Sequence, residues 1–254
     1  MDNTLIGKQF GNYQIISQVG KGGMAIVYKA MQVGIDRQVA LKILPEHLSE
    51  STEFIARFEQ EAQALGKLNH PNILSIYDYG QVDGCPYLAM PLITKGTLGQ
   101  YLGSTPRPDA EMQTVITHIG SALDYAHGQG IIHRDLKPNN ILIDDTGNYL
   151  LSDFSIAKVV EENVDHTLTG QILGTPAYMS PEQGMGELVD NRSEIYSLGV
   201  ILYRMAAGRV PYHAKTPLAT MVMHLQSDLT PPRQWNPDLP EAIEQVILEA
   251  MAKT

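Results

Sequence analysis

The spacing of apolar residues predicts a first part of the chain that is rich in strands. Five strands are predicted, at 13–19, 26–30, 38–44, 73–79 and 87–90. The last two are separated by a predicted turn at Asp83-Gly84. Between the third and fourth strands, apolar residues recur at spacings of three and four, which predicts a helix over 51–68.

After Leu92 the pattern becomes mainly helical. A long helix is predicted to begin with Asp109 as its cap and to end at Gly128 and Gly130. Two short strands are predicted at 141–143 and 149–151, and a loop at 167–186. A buried helix is predicted at 193–207, and a last helix runs from 241 to the end. The layout is therefore a small β-rich part followed by a larger α-rich part.

Composition excludes several classes of protein. Hydrophobic residues make up 43% of the 254, which is too many for a disordered chain. A net charge of −10 argues against nucleic acid as a partner. The single cysteine, Cys85, cannot form an internal disulfide, and neither a membrane span nor a signal peptide is evident. We therefore expect a cytoplasmic location and no membrane contact within these residues.

A glycine-rich turn lies between the first two predicted strands. It reads Gly20-Lys21-Gly22-Gly23-Met24-Ala25, which is G-x-G-x-x-G with alanine at the third glycine. A dinucleotide-binding fingerprint would be followed by a helix, whereas here a strand follows. Two interpretations stay open, an ordinary hairpin turn and a flexible hairpin whose bare backbone approaches phosphates.

Two charged residues occupy apolar positions. Lys42 lies in the middle of the strand Val39-Ala40-Leu41-Lys42, and Glu61 lies on the apolar stripe of the predicted helix, whereas Glu59 points away from it. Because a buried, unpaired charge is costly, we expect Lys42 and Glu61 to form an ion pair rather than two independent surface charges.

The most specific segment is Ile131-Ile132-His133-Arg134-Asp135-Leu136-Lys137-Pro138-Asn139-Asn140-Ile141. It contains the pattern H-R-D-x-x-x-x-N, and it is followed by Asp153-Phe154-Ser155 and by a Gly-Thr-Pro to Pro-Glu stretch at 174–182. With these motifs in order, the chain resembles a bacterial eukaryotic-like serine/threonine protein kinase from about residue 10 to 253. The resemblance implies an α+β, bilobal protein-kinase-like fold, in which a small antiparallel sheet lobe has one main helix and a larger lobe is mostly α-helical.

The resemblance also implies a domain organisation. The whole chain, 1–254, is interpreted as one kinase catalytic domain, with an N-lobe at about 1–92, a hinge at about 91–95 and a C-lobe at about 96–254. The chain stops where the last helices of the family begin, so we expect a C-terminally truncated domain. A membrane tether beyond residue 254 would also be compatible with the resemblance.

Site residues follow from the resemblance, position by position. The ATP-binding residues are Gly20, Lys21, Gly22, Gly23, Val27, Ala40, Lys42, Met90, Pro91 and Ile93. The catalytic residues are Lys42, Glu61, Asp135, Lys137, Asn140, Asp153 and Thr175. Asn140 and Asp153 would ligate Mg²⁺, for which Mn²⁺ could substitute. The cofactors implied are ATP and Mg²⁺, and Lys137 favours Ser/Thr acceptors over tyrosine.

Regulation and partners are implied in the same way. Arg134 before the catalytic aspartate resembles kinases that are switched on by phosphorylation, and Thr167 and Thr169 are the expected autophosphorylation sites. Protein substrates with Ser/Thr acceptors are expected, together with a kinase–kinase dimer for autophosphorylation. Residues 93–254 carry 11 basic and 19 acidic residues. This acidity is compatible with basic residues around the target, but a solvated acidic surface is the favoured explanation.

Three positions depart from the family pattern. Ser155 replaces the glycine of Asp-Phe-Gly, and Ala25 replaces the third glycine. Glu194 stands where a helix aspartate anchors the catalytic loop, and we expect its longer side chain to accept backbone hydrogen bonds in the same way. Ser155 and the missing C-terminal end keep a pseudokinase, a nucleotide-binding or scaffold module without transfer activity, as the alternative. A small-molecule kinase is disfavoured by the peptide-type loop at 174–182.

Overall fold

The computed structural model describes residues 5–22, 25–49, 51–154 and 176–253. The chain divides into two compact units, Met1–Thr94 and Lys95–Thr254. Their boundary falls inside the 91–95 segment. Each unit has its own core, and each is described below by itself.

The first unit is built on one antiparallel sheet of six strands. These strands are β1 (Gln9–Phe10), β2 (Tyr13–Lys21), β3 (Ile26–Gln32), β4 (Arg37–Ile43), β5 (Asp78–Val82) and β6 (Cys85–Pro91). Their spatial order is β1-β2-β3-β4-β6-β5. The turn between β5 and β6 is confirmed at Asp83 and Gly84, which have φ values of 49° and 80°. Glycine suits the second position because a positive φ costs it nothing.

One predicted strand is misplaced. The strand expected at 73–79 is Asp78–Val82, so most of the prediction lies before it. Ile73 and Leu74 are buried, which explains the strand-like pattern, but the Ile73 N–H donates to the His70 carbonyl within a turn. Burial of an irregular segment and burial of a strand give the same short apolar run.

Two helices accompany the sheet, α1 (Glu46–Ser49) and α2 (Thr52–Lys67). The predicted apolar face of α2 is confirmed, since Phe58 and Ala62 pack in one cluster with Leu44 and Leu88. The opposite face of the sheet has a second core that includes Val39, Leu41 and Ile43. Because strand residues alternate between faces, Lys42 and Leu88 lie on the side of α2, and the register pairs them directly.

The second unit is mostly helical. Its helices are α3 (Leu98–Tyr101), α4 (Asp109–Gly128), α5 (Pro181–Met185), α6 (Asn191–Ala207), α7 (Pro217–Gln226) and α8 (Glu241–Ala250), and its two strands are β7 (Ile141–Ile143) and β8 (Tyr149–Leu151). Both strands have the bounds that the sequence predicts, and they pair as an antiparallel hairpin. Helix α6 is buried on almost every side, with Val200 and Ile201 fully enclosed.

Several helix ends differ from expectation. Pro108 is the N-cap of α4, and Asp109 is its first helical residue. The Asp109 carboxylate is still favourable there, because it lies at the positive end of the helix dipole. Helix α8 ends at Ala250. The predicted loop at 167–186 contains α5, whose Ser180 and Gln183 form a capping box. Within the described residues, every helix is too short or too polar to cross a bilayer.

Candidate active site

In the first unit, Lys42 and Glu61 are joined as the sequence predicts. The Lys42 Nζ lies 2.6 Å from Glu61 Oε1, and the two side chains are 15% and 13% exposed. The pair forms because β4 and the apolar face of α2 bring the two charges to the same side of the sheet. Glu59 lies off this face and accepts a hydrogen bond from the Tyr79 hydroxyl.

The glycine-rich segment is a hairpin between β2 and β3. Gly20 pairs with Val27 and Lys21 with Ile26 across this hairpin. The Gly22 N–H donates to the Ala25 carbonyl at 2.8 Å and closes the turn. A Cβ added to Gly20 would meet no atom within 4 Å, so the backbone there lies bare on its outer side. Gly23 lies outside the described residues.

The other residues expected to bind ATP are neighbours in the sheet. Val27 pairs with Lys42, and Ala40 pairs with Met90 on the next strand. Pro91, which has no N–H, ends β6 opposite Val39. Ile93 follows and is half-buried. The structure therefore brings Val27, Ala40, Lys42 and Met90 together along three adjacent strands, whereas their contact with a nucleotide stays a prediction.

In the second unit, three polar side chains of the catalytic motif converge. The Lys137 Nζ lies 2.6 Å from Asp135 Oδ2. The Asn140 Nδ2 donates to the Asp135 carbonyl at 2.9 Å and to Asp135 Oδ2 at 3.2 Å. Proline at 138 opens a short 3₁₀ turn, Pro138–Asn140, which returns the chain toward Asp135. One carboxylate is thus held by a cation and an amide.

The backbone of this loop is fixed by His133, which is fully buried. Its Nδ1 accepts from the Asp135 N–H at 3.2 Å, and its Nε2 lies 2.8 Å from the Ser152 carbonyl. Nε2 must therefore carry the proton, which makes His133 the neutral Nε2–H tautomer. The ring also packs against Phe154, with centroids 4.7 Å apart.

Glu194 anchors the same loop from helix α6. Its Oε1 accepts from the Arg134 N–H at 2.7 Å, and its Oε2 lies 2.6 Å from His127 Nε2. Arg134 has a φ of 67°, which is unusual for a residue with a side chain. The expectation that glutamate can replace aspartate as the anchor is confirmed, since the longer side chain reaches two donors.

Asp153 follows β8 and is exposed, with a φ of 56°. The Ser152 N–H and hydroxyl both donate to the Asn140 carbonyl, which connects Asp153 to the catalytic loop. Because Asn140 Nδ2 already donates to Asp135, its amide oxygen is the atom left for a metal ion. A carboxylate and an amide oxygen suit Mg²⁺, so the residues present fit the expected metal.

Several predicted positions lie outside the described residues. These are Thr175, Ser155 and the two expected phosphorylation sites, Thr167 and Thr169. Their roles stay predictions.

Two anchoring residues are not indicated by the sequence pattern. One is His127, in the last turn of α4, and the other is Gln183, whose Nε2 donates to the Arg134 carbonyl at 2.9 Å. Neither belongs to a motif that requires it. The pattern Ser180-x-x-Gln183 would have predicted the capping box, but not the second bond that the glutamine makes.

A model of the protein kinase domain matches residues 13–253, so the chain belongs to the protein kinase family. Its curated relatives are bacterial serine/threonine-protein kinases. It is 41% identical over 251 residues to serine/threonine-protein kinase PrkC of Bacillus subtilis, and 39% identical over 251 residues to the probable serine/threonine-protein kinase PknB of Lactococcus lactis. Each alignment covers 98% of this chain but only 39% and 40% of the respective relative.

The chain therefore spans about two fifths of the length of these relatives. Among solved structures it is similar to the PknI kinase domain of Mycobacterium tuberculosis, with a TM-score of 0.72 and 28% identity, covering 98% of this chain and 91% of that one. The expected family and the α+β protein kinase fold are confirmed.

Proposed function

We propose that this chain transfers the γ-phosphate of ATP to serine and threonine hydroxyls of proteins. The observation that carries the proposal is the carboxylate of Asp135, held between Lys137 and Asn140. In the transfer, the acceptor oxygen forms a bond to the γ-phosphorus as the bond to the ADP oxygen breaks. Asp135 accepts or orients the hydroxyl proton, and Lys137 offsets the negative charge that develops on the phosphoryl group.

The nucleotide would be held by residues of the first unit. Lys42, braced by Glu61, would bind the α- and β-phosphates, and the backbone of Gly20 and Gly22 would cover them. Asn140 and Asp153 would hold Mg²⁺, which neutralises phosphate charge when bound. Mn²⁺ offers the same preference for oxygen ligands and would be tested beside it.

We infer that activation includes autophosphorylation at Thr167 or Thr169 through an encounter between two copies. Phosphate adds about −1.5 to −2 charge, which an arginine such as Arg134 can pair with. Because ATP is the donor and Cys85 is the single cysteine, we also infer that this part of the protein works in the cytoplasm. A membrane tether in a region beyond residue 254 would be compatible with this location.

The test is the transfer of labelled γ-phosphate, with Mg²⁺, Mn²⁺ or EDTA, to the chain itself and to a generic protein substrate. Asp135→Asn and Asp153→Asn are expected to abolish transfer, whereas the exposed, distant Arg192→Ala retains it. Phosphopeptide mapping is expected to find phosphate on Thr167 or Thr169. Tight ATP binding without transfer by the unchanged chain would contradict catalysis and favour the pseudokinase alternative.

A further inference from the structure

The second unit contains an open groove of about 460 Å³. Its wall is formed by the end of helix α6, the segment that follows it, and an exposed tryptophan. The lining residues that matter here are Ser104, Arg204, Arg209, His213, Met223 and Trp235. The groove has an aliphatic and aromatic floor and carries two guanidinium groups.

The charge of this groove opposes that of its surroundings. Residues 95–254 carry 11 basic and 19 acidic residues, but the described residues that line the groove include Arg204, Arg209 and His213 and no carboxylate. Such a local excess of positive charge in an acidic unit attracts an anionic ligand.

Arg204 is fixed in place by uncharged groups. Its Nη1 donates to the Tyr178 hydroxyl at 2.5 Å, and its Nη2 donates to the Leu102 carbonyl at 3.3 Å. Burial raises the pKa of Tyr178, although the charge of Arg204 lowers it. Within the described part of the chain, neither Arg204 nor Arg209 forms an ion pair with a carboxylate. Their charge is oriented but not neutralised.

Arg209 is held by an aromatic platform. Its guanidinium carbon lies 4.2 Å from the centroid of the Trp235 ring. The indole N–H in turn donates to the Tyr203 hydroxyl at 3.0 Å, which fixes the ring, and Trp235 remains 48% exposed. A stacked guanidinium keeps its in-plane donors available for a carboxylate.

The groove is connected to the catalytic loop through one side chain. Tyr178 lines the same small pocket as Asp135 and Lys137, and its hydroxyl contacts Arg204. A peptide whose acceptor hydroxyl reaches Asp135 could therefore extend past Tyr178 into the groove, since each extended residue spans roughly 3.3–3.6 Å.

We propose that this groove binds an acidic side chain of the protein substrate, close in sequence to the phosphorylated Ser or Thr. Arg204 and Arg209 are then specificity-determining residues that pair with an aspartate or glutamate. The inference rests on the proposed function, of which it names the substrate class. It differs from the reading, compatible with the net charge of this part of the chain, that basic residues surround the target.

Two readouts test the proposal on the same peptides. Each peptide has one threonine in a neutral sequence, with Asp, Ala or Lys placed singly at positions on either side of it. Phosphorylation gives relative kcat/KM values for the active chain. Fluorescence anisotropy gives Kd for the same peptides on the Asp135→Asn chain, and this second readout requires no catalysis.

At one or more positions the acidic peptide is expected to be preferred over the lysine peptide by roughly tenfold in both readouts, as for one charge-assisted pair. Arg209→Ala should reduce this preference. Arg204→Lys and Arg204→Ala, made as separate single variants, should also reduce it. The charge reversal Arg209→Glu should favour the lysine peptide instead. Arg233→Ala is the matched control, because this exposed arginine of the same unit does not line the groove.

Two results would overturn the proposal: no preference for acidic peptides, or a preference that Arg209→Ala, Arg209→Glu and a folded Arg204→Ala all leave unchanged. Thermal unfolding identifies a variant that no longer folds. Because Arg209 is exposed, its substitution should not disturb folding, and the Arg209 variants test the proposal even if Arg204→Ala does not fold. Transfer to no peptide, together with an arginine-dependent preference in anisotropy, would contradict the proposed function but keep the proposal that the groove binds an acidic side chain.

Discussion

The carboxylate of Glu194 lies 2.6 Å from Nε2 of His127 and, through its other oxygen, 2.7 Å from the amide nitrogen of Arg134. Glu194 is 2% exposed, so both oxygens are used inside the protein. Helix α6 thus holds the end of helix α4 and the catalytic loop with one side chain.

Truncating this anchor is expected to affect both stability and activity. Glu194→Ala leaves the Arg134 N–H without its acceptor, which costs about 1–3 kcal/mol of unfolding free energy. Glu194→Asp has a shorter reach and should keep one of the two bonds, with an intermediate loss. Denaturant unfolding and kcat measured on each variant check this. Equal stability of Glu194→Ala and the unchanged chain would contradict the anchoring role.

Removing the charge of Lys42 is expected to lower activity far more than stability. Lys42→Met leaves the Glu61 carboxylate, which is only 13% exposed, without this cation, so the unfolding free energy should fall by about 1–3 kcal/mol. Transfer of phosphate should fall by about a hundredfold or more, since the lysine would stabilise phosphate charge. Glu61→Gln, which removes the carboxylate that holds Lys42, should also lower transfer, and Glu59→Gln is its matched control. Activity that survives Lys42→Met would argue against phosphate binding at this site.

Acid is expected to destabilise the second unit through His224. Burial, and secondarily the charge of Lys253, lowers the pKa of His224 from 6.5 to about 4. Between pH 6.5 and 4, His224 is therefore protonated in the unfolded chain but neutral in the folded chain. The contribution of His224 to the free energy of unfolding is complete above pH 6.5. It decreases as the pH falls toward 4, by about 3 kcal/mol over this range.

The difference between the unchanged chain and His224→Gln, followed by denaturant unfolding from pH 7 to 4, measures this effect. The Tyr196 hydroxyl lies 2.8 Å from His224 Nδ1, and glutamine keeps an uncharged polar group in this buried region. The exposed His213→Gln serves as the control. Parallel pH profiles for the unchanged chain and His224→Gln would rule out the linkage.

Gln183 is expected to couple the cap of helix α5 to the catalytic loop. Its Oε1 accepts from the Ser180 N–H at 3.1 Å, while its Nε2 donates to the Arg134 carbonyl. Gln183→Glu keeps the first bond and loses the second, so kcat should fall several-fold while the helix cap remains. Ser180→Ala removes the cap and should cost about 1 kcal/mol of stability. The coupling is contradicted if both variants lower kcat and stability in the same proportion.

The parts of the site that sequence reasoning predicts are those whose residue types conflict with their local pattern. Lys42 and Glu61 both occupy apolar positions, and burial without a partner would be costly, so their pairing follows from the pattern of the chain alone. The β7–β8 hairpin is equally clear, because two short apolar runs flank the turn residues Asp144 to Asn148.

Contacts distant in sequence leave no such signal. His127 and Glu194 are 67 positions apart, and a histidine near a helix end has an ordinary role as a dipole partner. Helix α7 is not predicted for a related reason. Most of its residues are apolar and are distributed around the whole helix, so the sequence shows no apolar stripe that would predict a helix. Thr216 and Pro217 nevertheless give a start signal.

The direction of the hydrogen bonds at Asn140 has a consequence for chemical ageing of the protein. Its amide nitrogen is what satisfies the Asp135 carbonyl and carboxylate. Deamidation changes this one nitrogen to oxygen and would leave in place the amide oxygen that we propose as the metal ligand. The new carboxylate at position 140 would nevertheless face the Asp135 carboxylate, so two hydrogen-bond acceptors and two negative charges would repel each other. A carboxylate there would suit a metal ion as well as the amide does, so the need for nitrogen at this position comes from Asp135.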